Sequence, residues 1–259
     1  MSSKPVIVLT PGAWHSPESF EVFQTELHQR GWETRATTNV SVGAEPPTKG
    51  MFDDAASAHA VIEELADQGR QVVLVAHSYG GIVGAQAVKG LGYKQRAAEG
   101  KAGGVIAFVY IAAFVAPTGT GVWDLTRNEP QPWMRIETKH QKTQDGKIFV
   151  NDPEEVFYQD VAPEITSKCV GMLQHQTVKA FEERVTYEPW HDIPCAYIAC
   201  EDDHAIPFFA QEMMAQALGP DALNVTFKAT SHSPFLSRTA ETAEFVERAV
   251  RMGVEAVAA

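Results

Sequence analysis

The sequence predicts a single α/β domain in which helices flank a mainly parallel sheet. Continuous apolar runs such as 6–10, 72–76 and 105–112 are typical of strands buried on both faces. These runs alternate with amphipathic helical patterns, as they do in proteins with parallel sheets. A chain of 259 residues with 44% hydrophobic residues is long enough for one large domain, or for one domain that carries an insertion.

In chain order, the pattern predicts six strands and five longer helices. The predicted strands cover residues 6–10, 33–38, 72–76, 105–112, 194–200 and 224–228, and the predicted helices cover residues 17–31, 51–68, 79–91, 206–218 and 234–252.

One segment breaks the alternation. Between residues 116 and 194 the sequence predicts loops and short helices, rich in aromatic residues and without a strong strand. It follows the middle strand at the carboxyl edge of the sheet, where α/β proteins bind ligands. We therefore expect a helical cap at 118–192, inserted between core parts at 1–117 and 193–259. The alternative is that its aromatic residues form only a satellite core.

Composition argues against several functions. The net charge is −12 and no basic cluster occurs, so neither nucleic acid nor an anionic membrane surface is an expected partner. The three cysteines lack CxxC spacing, which disfavours disulfides and structural zinc, and the glycines match no nucleotide-binding motif. Since no long apolar run or signal-peptide core is present, we expect a cytoplasmic protein without metal or cofactor. The oligomeric state stays open, with a homodimer as one option.

The strongest local motif is the stretch Val72–Gly81, an apolar strand that stops at Ser78 and continues into a glycine-rich helix. A serine between a buried strand and a helix, with the small residues Ala76 and Gly80 two positions away on either side, is typical of a nucleophile elbow. The alternative is a serine that merely caps the helix.

A serine nucleophile needs a base within hydrogen-bond reach. His77 adjoins Ser78 in sequence, so its side chain points elsewhere. Among the nine histidines, His232 directly follows the last predicted strand, which places it at the same sheet edge as Ser78. The alternative is a purely structural loop histidine.

The base in turn needs a carboxylate partner. Glu201, Asp202 and Asp203 all follow the strand at 194–200, and spacing alone does not choose among them. One of these acids could instead cap the following helix. Asp124 is a fallback acid, and a metal site at 202–204 is disfavoured because consecutive residues cannot all converge on one ion.

Acyl transfer also requires donors for the oxyanion of the tetrahedral intermediate. The backbone N–H of Tyr79 and that of Ala13, after the first strand, are the candidates, and Gly12 allows the loop to turn. An ordinary Pro-Gly turn is the alternative. The chain order of nucleophile, acid and histidine is that of the α/β-hydrolases.

Taken together, the motifs TPGAW, AHSYGG, YIACEDDHAIPFFAQ and SHSPFLS resemble the α/β-hydrolase superfamily. The resemblance is to the branch of plant methylesterases, hydroxynitrile lyases and their bacterial and fungal relatives, and it is looser in the cap. It implies an α/β-hydrolase fold with a mostly parallel six-stranded sheet. It also implies Asp203, four residues before Pro207, as the triad acid, and it supports Ala13 and Tyr79 as oxyanion donors.

Some positions depart from the family pattern. Pro11-Gly12 replaces the usual His-Gly, and Ala76 replaces the first glycine of the elbow. The threonine and lysine of the lyases correspond to Gly12 and Ser233, which disfavours a cyanohydrin lyase.

The leading prediction is a serine hydrolase of a small apolar ester, lactone or thioester. The alternatives are a non-hydrolytic tailoring enzyme (a lyase, a cyclase or a C–C bond-cleaving enzyme) and a small-molecule receptor built on the hydrolase fold. We expect the substrate, a small molecule, to contact Trp14, Trp133, Phe157 and His175.

Overall fold

The computed structural model describes residues 4–138 and 146–258, which form two sheets and their surrounding helices. The strands are β1 (Val6–Thr10), β2 (Glu33–Ala36), β3 (Gln71–His77), β4 (Gly104–Ile111), β5 (Met134–Glu137), β6 (Lys147–Val150), β7 (Gln176–Thr177), β8 (Cys195–Cys200) and β9 (Leu223–Phe227). The helices are α1 (Glu21–Gln29), α2 (Met51–Asp67), α3 (Gly80–Ala87), α4 (Tyr93–Ala98), α5 (Val122–Leu125), α6 (Pro153–Phe157), α7 (Pro163–Met172), α8 (Val178–Glu182), α9 (Phe208–Ala217), α10 (Pro234–Ser237) and α11 (Thr239–Ala258).

The large sheet has six strands in the order β2-β1-β3-β4-β8-β9, and neighbouring strands run parallel. All residues of β1 and β4 are buried, as their continuous apolar sequences predict. The predicted α/β class and the six strands are therefore confirmed. Among the described residues, no helix is long and apolar enough to cross a membrane.

The structure departs from the predicted helices in two places. The helix α4 was not predicted, and the predicted helix at 234–252 is divided into α10 and α11. The division falls at Arg238, whose backbone angles of φ −127° and ψ 47° are not helical. The guanidinium of Arg238 pairs with Glu241, in the first turn of α11, at 2.7 Å.

The predicted cap segment is not purely helical, which corrects the expectation of loops and short helices. In addition to α5–α8 it contains an antiparallel sheet in the order β5-β6-β7. These strands have only two to four residues each, too few for a clear alternating pattern. The boundaries 118 and 192 stay a prediction.

Strand register brings the functional edge together. Thr10 of β1 pairs with Ala76 of β3, so the loop that begins at Pro11 lies beside the end of β3. On the other side of β3, His77 pairs with Ile111. Because all strands of this sheet point in one direction, the segments after β1, β3, β8 and β9 emerge at a single edge.

The glycine at position 80 lets α3 approach β1 closely. A β-carbon on Gly80 would lie 2.6 Å from the carbonyl oxygen of Thr10 and 2.7 Å from that of Pro11. Both oxygens belong to the backbone and cannot move aside without shifting the strand. Close packing of this helix on the sheet therefore requires glycine.

We expect Gly80→Ala to lower the free energy of unfolding by about 1–3 kcal/mol, the usual cost of overpacking a core. Gly171 is the matched control, because a β-carbon added there in α7 would meet no atom within 4 Å. Gly171→Ala should leave stability unchanged or raise it by up to about 1 kcal/mol. Urea denaturation of the two variants measures the difference, and equal effects would contradict this packing argument.

Candidate active site

Ser78 occupies a strained turn between β3 and α3. Its φ is 55°, in the left-handed region that costs a non-glycine residue about 1–3 kcal/mol. The Ser78 N–H donates to the carbonyl oxygen of Ile111 at 3.2 Å, and its own carbonyl accepts from the Phe114 N–H at 3.1 Å. The end of β4 and the loop after it thus hold the turn in the geometry of a nucleophile elbow.

His232 lies in the loop after β9 and is 1% exposed. Its Nδ1 is 2.7 Å from Oδ2 of Asp203, and both side chains are buried. Since an ionised carboxylate can only accept, Nδ1–H donates in this bond and Nε2 is left as an acceptor when the ring is neutral. This is the tautomer that a general base requires.

Asp203 makes four hydrogen bonds that fix its orientation. Oδ1 accepts from the N–H groups of Ala205 (2.7 Å) and Ile206 (2.9 Å), and Oδ2 accepts from Gln211 Nε2 (2.8 Å) as well as from His232. Asp203 thus also caps the turn before α9. The two roles expected for acids in this segment, partner of the histidine and cap of the next helix, are combined in this one residue.

The other candidate acids have different partners. Glu201 accepts from the Ala229 N–H at 3.3 Å, and Asp202 lies 3.7 Å from the exposed His204. Asp124 pairs with Arg184 at 2.8 Å. Among these four acids, the structure brings Asp203 to His232.

Gln211, which contacts the Asp203 carboxylate, is a site residue that the sequence motifs do not predict. It is fully buried on α9, accepts from the Cys200 N–H at 3.0 Å and donates to Asp203. A glutamine on the inner face of a helix, four residues before the buried Ala215, is the signal that could have found it. Gln211 ties the end of β8 to the carboxylate.

His77 does not face the Ser78 side chain but supports the histidine loop. Its Nε2 donates to the carbonyl oxygen of His232 at 2.9 Å, and the two rings lie 4.5 Å apart. Burial, followed by the nearby His232, lowers the pKa of His77 well below its ordinary value, so this ring is neutral at pH 7.

The loop after β1 lies directly against the elbow. A β-carbon on Gly12 would be 3.1 Å from Cβ of Ser78 and 3.1 Å from Nδ1 of His77, which explains the glycine. Asn39 donates to the carbonyl oxygen of Pro11 at 3.0 Å and fixes the start of the loop. The next residue, Ala13, is 2% exposed.

His15 closes this loop on the cap side. Its Nδ1 donates to the Ala13 carbonyl oxygen at 2.6 Å, so Nε2 accepts from the Tyr158 hydroxyl at 2.6 Å. Burial is the largest cause that lowers its pKa from 6.5 to about 4. A neutral His15 therefore holds the carbonyl of Ala13 in place.

Three of the four predicted substrate contacts form one aromatic cluster. Trp14, Trp133 and Phe157 have ring centroids 5.5–5.8 Å apart, and Phe157 lies 5.6 Å from the ring of His232. They line a cavity of about 30 Å³, enough for about one water molecule, which Ala205 helps to enclose. A cavity of this volume is too small for an organic molecule.

His175 lies apart from this cluster. Its Nε2 is 3.1 Å from the carbonyl oxygen of Ala44, and its ring is 5.8 Å from that of Phe149. It lines a separate open pocket of about 550 Å³, which shares Trp14 with the small aromatic cavity. A substrate contact at His175 stays a prediction.

Within the described residues, no group of histidines, cysteines and acids could hold a metal ion. The three cysteines are free and buried.

A parallel sheet whose third strand leads into a strained serine, at the same edge as a buried histidine–aspartate pair, is typical of enzymes built on the nucleophile elbow. A sequence model of the alpha/beta hydrolase family matches residues 7–245, so the chain belongs to this family. The family suggests a small-molecule substrate, and hydrolysis is the general activity that it supports.

Two fungal relatives are similar over most of the chain. The alpha/beta hydrolase nvfD of Aspergillus novofumigatus is 28% identical over 252 residues, which cover 97% of this chain and 99% of that protein. The probable hydrolase R7 of Phoma sp. is 26% identical over 211 residues, which cover 79% and 80% of the two chains.

Solved structures share the fold at low sequence identity. Polyneuridine aldehyde esterase is 15% identical with a TM-score of 0.76, and the match covers 95% of this chain and 99% of that one. Tomato methylketone synthase I, in complex with 2-tridecanone, is 12% identical with a TM-score of 0.78 and coverage of 95% and 97%. A pyrethroid hydrolase from Sphingobium faniae is 19% identical with a TM-score of 0.72 and coverage of 98% and 100%.

The lowered pKa of His15 makes stability depend on pH. Between pH 6.5 and about 4 the unfolded chain binds a proton that the folded protein excludes, so stability falls as the pH drops through this window. For this group alone, the free energy of unfolding should be about 2 kcal/mol lower at pH 5 than at pH 7.5.

Urea denaturation of wild type and His15→Gln at both pH values measures this effect, and the variant should show the smaller loss. His191→Gln is the control, because the side chain of His191 is 66% exposed. The same pH dependence in wild type and His15→Gln would contradict a buried neutral His15.

Proposed function

We propose that this protein is a serine hydrolase that cleaves a small, largely apolar ester, lactone or thioester through an acyl-enzyme on Ser78. The observation that carries the proposal is Ser78 at φ 55°, at the same sheet edge as a buried His232 whose Nδ1 is bonded to Asp203 at 2.7 Å. Strain of this kind at a single serine is typical of functional sites.

In the acylation step, Nε2 of His232 takes the proton of the Ser78 hydroxyl as the oxygen attacks the substrate carbonyl. Asp203 holds the ring in the required tautomer and stabilises the imidazolium that forms. The four hydrogen bonds to Asp203 keep this carboxylate oriented throughout. The neutral ring of His77 adds no positive charge that would oppose protonation of His232.

The negative charge on the attacked oxygen is stabilised by the backbone N–H groups of Ala13 and Tyr79. Preorganised donors of this kind contribute about 10²–10³-fold each to turnover. The contact of Gly12 with Ser78 supports this role, because it sets the loop that carries Ala13 against the elbow.

Collapse of the tetrahedral intermediate breaks the single bond between the acyl carbon and the leaving-group oxygen, or the carbon–sulfur bond of a thioester. The leaving group takes the proton from His232. A water molecule, deprotonated by the same ring, then attacks the acyl-enzyme, and Ser78 regains its proton as the carboxylic acid leaves.

The aromatic lining of the small cavity supports an apolar substrate. Trp14, Phe157 and Phe181 surround it together with Trp133, whose buried Nε1–H has no hydrogen-bond partner among the described residues. Buried donors are normally paired, so a substrate oxygen near Trp133 would satisfy this group. The names of the fungal relatives agree with hydrolysis, and that of polyneuridine aldehyde esterase, which shares the fold, agrees with ester chemistry.

We expect Ser78→Ala to lower turnover of a panel of esters, lactones and thioesters by at least about 10³-fold, because the nucleophile is lost while the fold is kept. Ser57→Ala, on helix α2, is the matched control and should hydrolyse the panel like wild type. Initial rates with each substrate measure the effect.

Hydrolysis by Ser78→Ala at the wild-type rate would exclude the acyl-enzyme. Conversion of a substrate into a cyclised or eliminated product, with no acyl adduct on the protein, would instead favour a non-hydrolytic tailoring enzyme. Thermal stabilisation by a compound that is never converted would favour a receptor.

A further inference from the structure

A buried chain of hydrogen-bonded polar groups connects Trp14, the residue after the proposed donor Ala13, with Tyr79, the other proposed donor. The Trp14 N–H donates to Oε1 of Gln176 at 3.4 Å, and Nε2 of Gln176 donates to Oγ of Ser41 at 2.6 Å. From the other side, the Tyr79 hydroxyl donates to Oδ2 of Asp54 at 2.8 Å. Ser41 completes the chain, because its N–H (2.7 Å) and its hydroxyl (2.5 Å) both donate to Asp54.

The chain has a fixed direction. At one end, the backbone N–H of Trp14 can only donate, which turns Oε1 of Gln176 toward it and Nε2 toward Ser41. At the other end, the ionised carboxylate of Asp54 can only accept. Ser41, Asp54 and Gln176 are fully buried, so no water competes for these groups.

Trp14 needs external support. Its φ is 65°, a left-handed conformation that a tryptophan rarely adopts. Three contacts from the cap segment hold it: the bond to Gln176, the Gln174 N–H on its carbonyl at 3.1 Å, and its own Nε1 on the carbonyl of Ile148 at 2.8 Å. The peptide that joins Ala13 to Trp14 is thus held from both sides, its N–H by Gln176 and its carbonyl by His15, one residue after the Ala13 N–H.

We propose that the chain Trp14–Gln176–Ser41–Asp54–Tyr79 is a positioning network for the oxyanion hole, in which the Asp54 carboxylate is the acceptor that joins the two arms. This inference rests on the proposed function. In this network Asp54 does not contact the substrate. It acts on the N–H of Tyr79 through the phenol of that residue, and on the N–H of Ala13 through Trp14.

Burial is the largest cause that raises the pKa of Asp54 from 3.8 to about 6, against the hydrogen bonds from Ser41 and Tyr79, which lower it. The folded protein therefore binds this proton more tightly than the unfolded chain, and the ionised carboxylate at pH 7 weakens folding. A group that weakens folding in its ionised form fits a functional role better than a purely structural one.

Other charged groups face this region. Asp53 on the same helix is the neighbouring acid that raises the pKa of Asp54, and Glu183 acts on Tyr79. Lys49 and Lys179 approach Asp53 at 3.0 and 3.8 Å. They partner Asp53 rather than the buried Asp54.

The test compares Asp54→Asn and Tyr79→Phe with Asp53→Asn. Tyr79→Phe removes the phenol but keeps the backbone N–H that is proposed as a donor. We expect both network variants to lower kcat by about 10-fold, less than the loss of a whole oxyanion donor, with KM changed by less than about 2-fold. Asp53→Asn, whose side chain caps α2 at Gly50, should keep the wild-type kcat.

A second readout needs no substrate. With ¹⁵N-labelled tryptophan the protein gives five backbone amide signals, and that of Trp14 is identified by its absence in Trp14→Phe. In wild type and Asp53→Asn the Trp14 signal should shift with a midpoint near pH 6, and in Asp54→Asn it should not shift. If Asp54→Asn fails to fold, the kcat of Tyr79→Phe and the pH titration of the wild-type Trp14 signal still test the network.

Wild-type kcat in both network variants, or a Trp14 signal that does not move between pH 5 and 7, would overturn the inference. Failure of the proposed function would give another result, because Ser78→Ala would then still hydrolyse the substrates. The amide titration is read without turnover, so it judges the network separately.

Discussion

The hydrogen bond between His232 Nδ1 and Asp203 Oδ2 is the interaction on which the rest of the site depends. It sets the tautomer of the ring and leaves Nε2 available as a base. Gln211 orients the carboxylate from α9, and His77 holds the backbone of the histidine loop from the end of β3. Groups from separate strands thus converge on one pair because the parallel sheet ends all its strands at one edge.

Two residues with strained backbone flank the proposed oxyanion hole. Ser78 and Trp14 are in left-handed conformations with φ of 55° and 65°. Ile111 of β4 and Phe114 in the loop after it stabilise the first. The segment 118–192 stabilises the second through Gln174, Gln176 and Ile148. The segment predicted as a cap therefore also supports the loop after β1, since β7 and β6 supply the partners Gln176 and Ile148.

Much of the fold could be predicted from the sequence because it rests on strong local signals. The continuous apolar runs mark the buried strands, and the small residues around Ser78 mark the elbow. The acid was harder, because Glu201, Asp202 and Asp203 are adjacent and only the path of the loop decides which carboxylate reaches His232. Spacing left all three open, and the family resemblance chose the residue that the structure brings to His232.

Other features could not be predicted, since they depend on contacts between distant segments. Asp54 lies in an ordinary amphipathic helix, and nothing local shows that Tyr79 and Ser41 converge on it. Likewise, Gln176 belongs to a two-residue strand that exists only through its pairing with β6. The small cap sheet was missed for the same reason.

An acyl-enzyme on Ser78 can be trapped by rapid quenching during ester turnover and weighed by mass spectrometry. The intact mass should rise by that of the acyl group, with the added mass on the peptide that contains Ser78. Hydrolysis in the steady state without any such adduct, or an adduct on another residue, would contradict it.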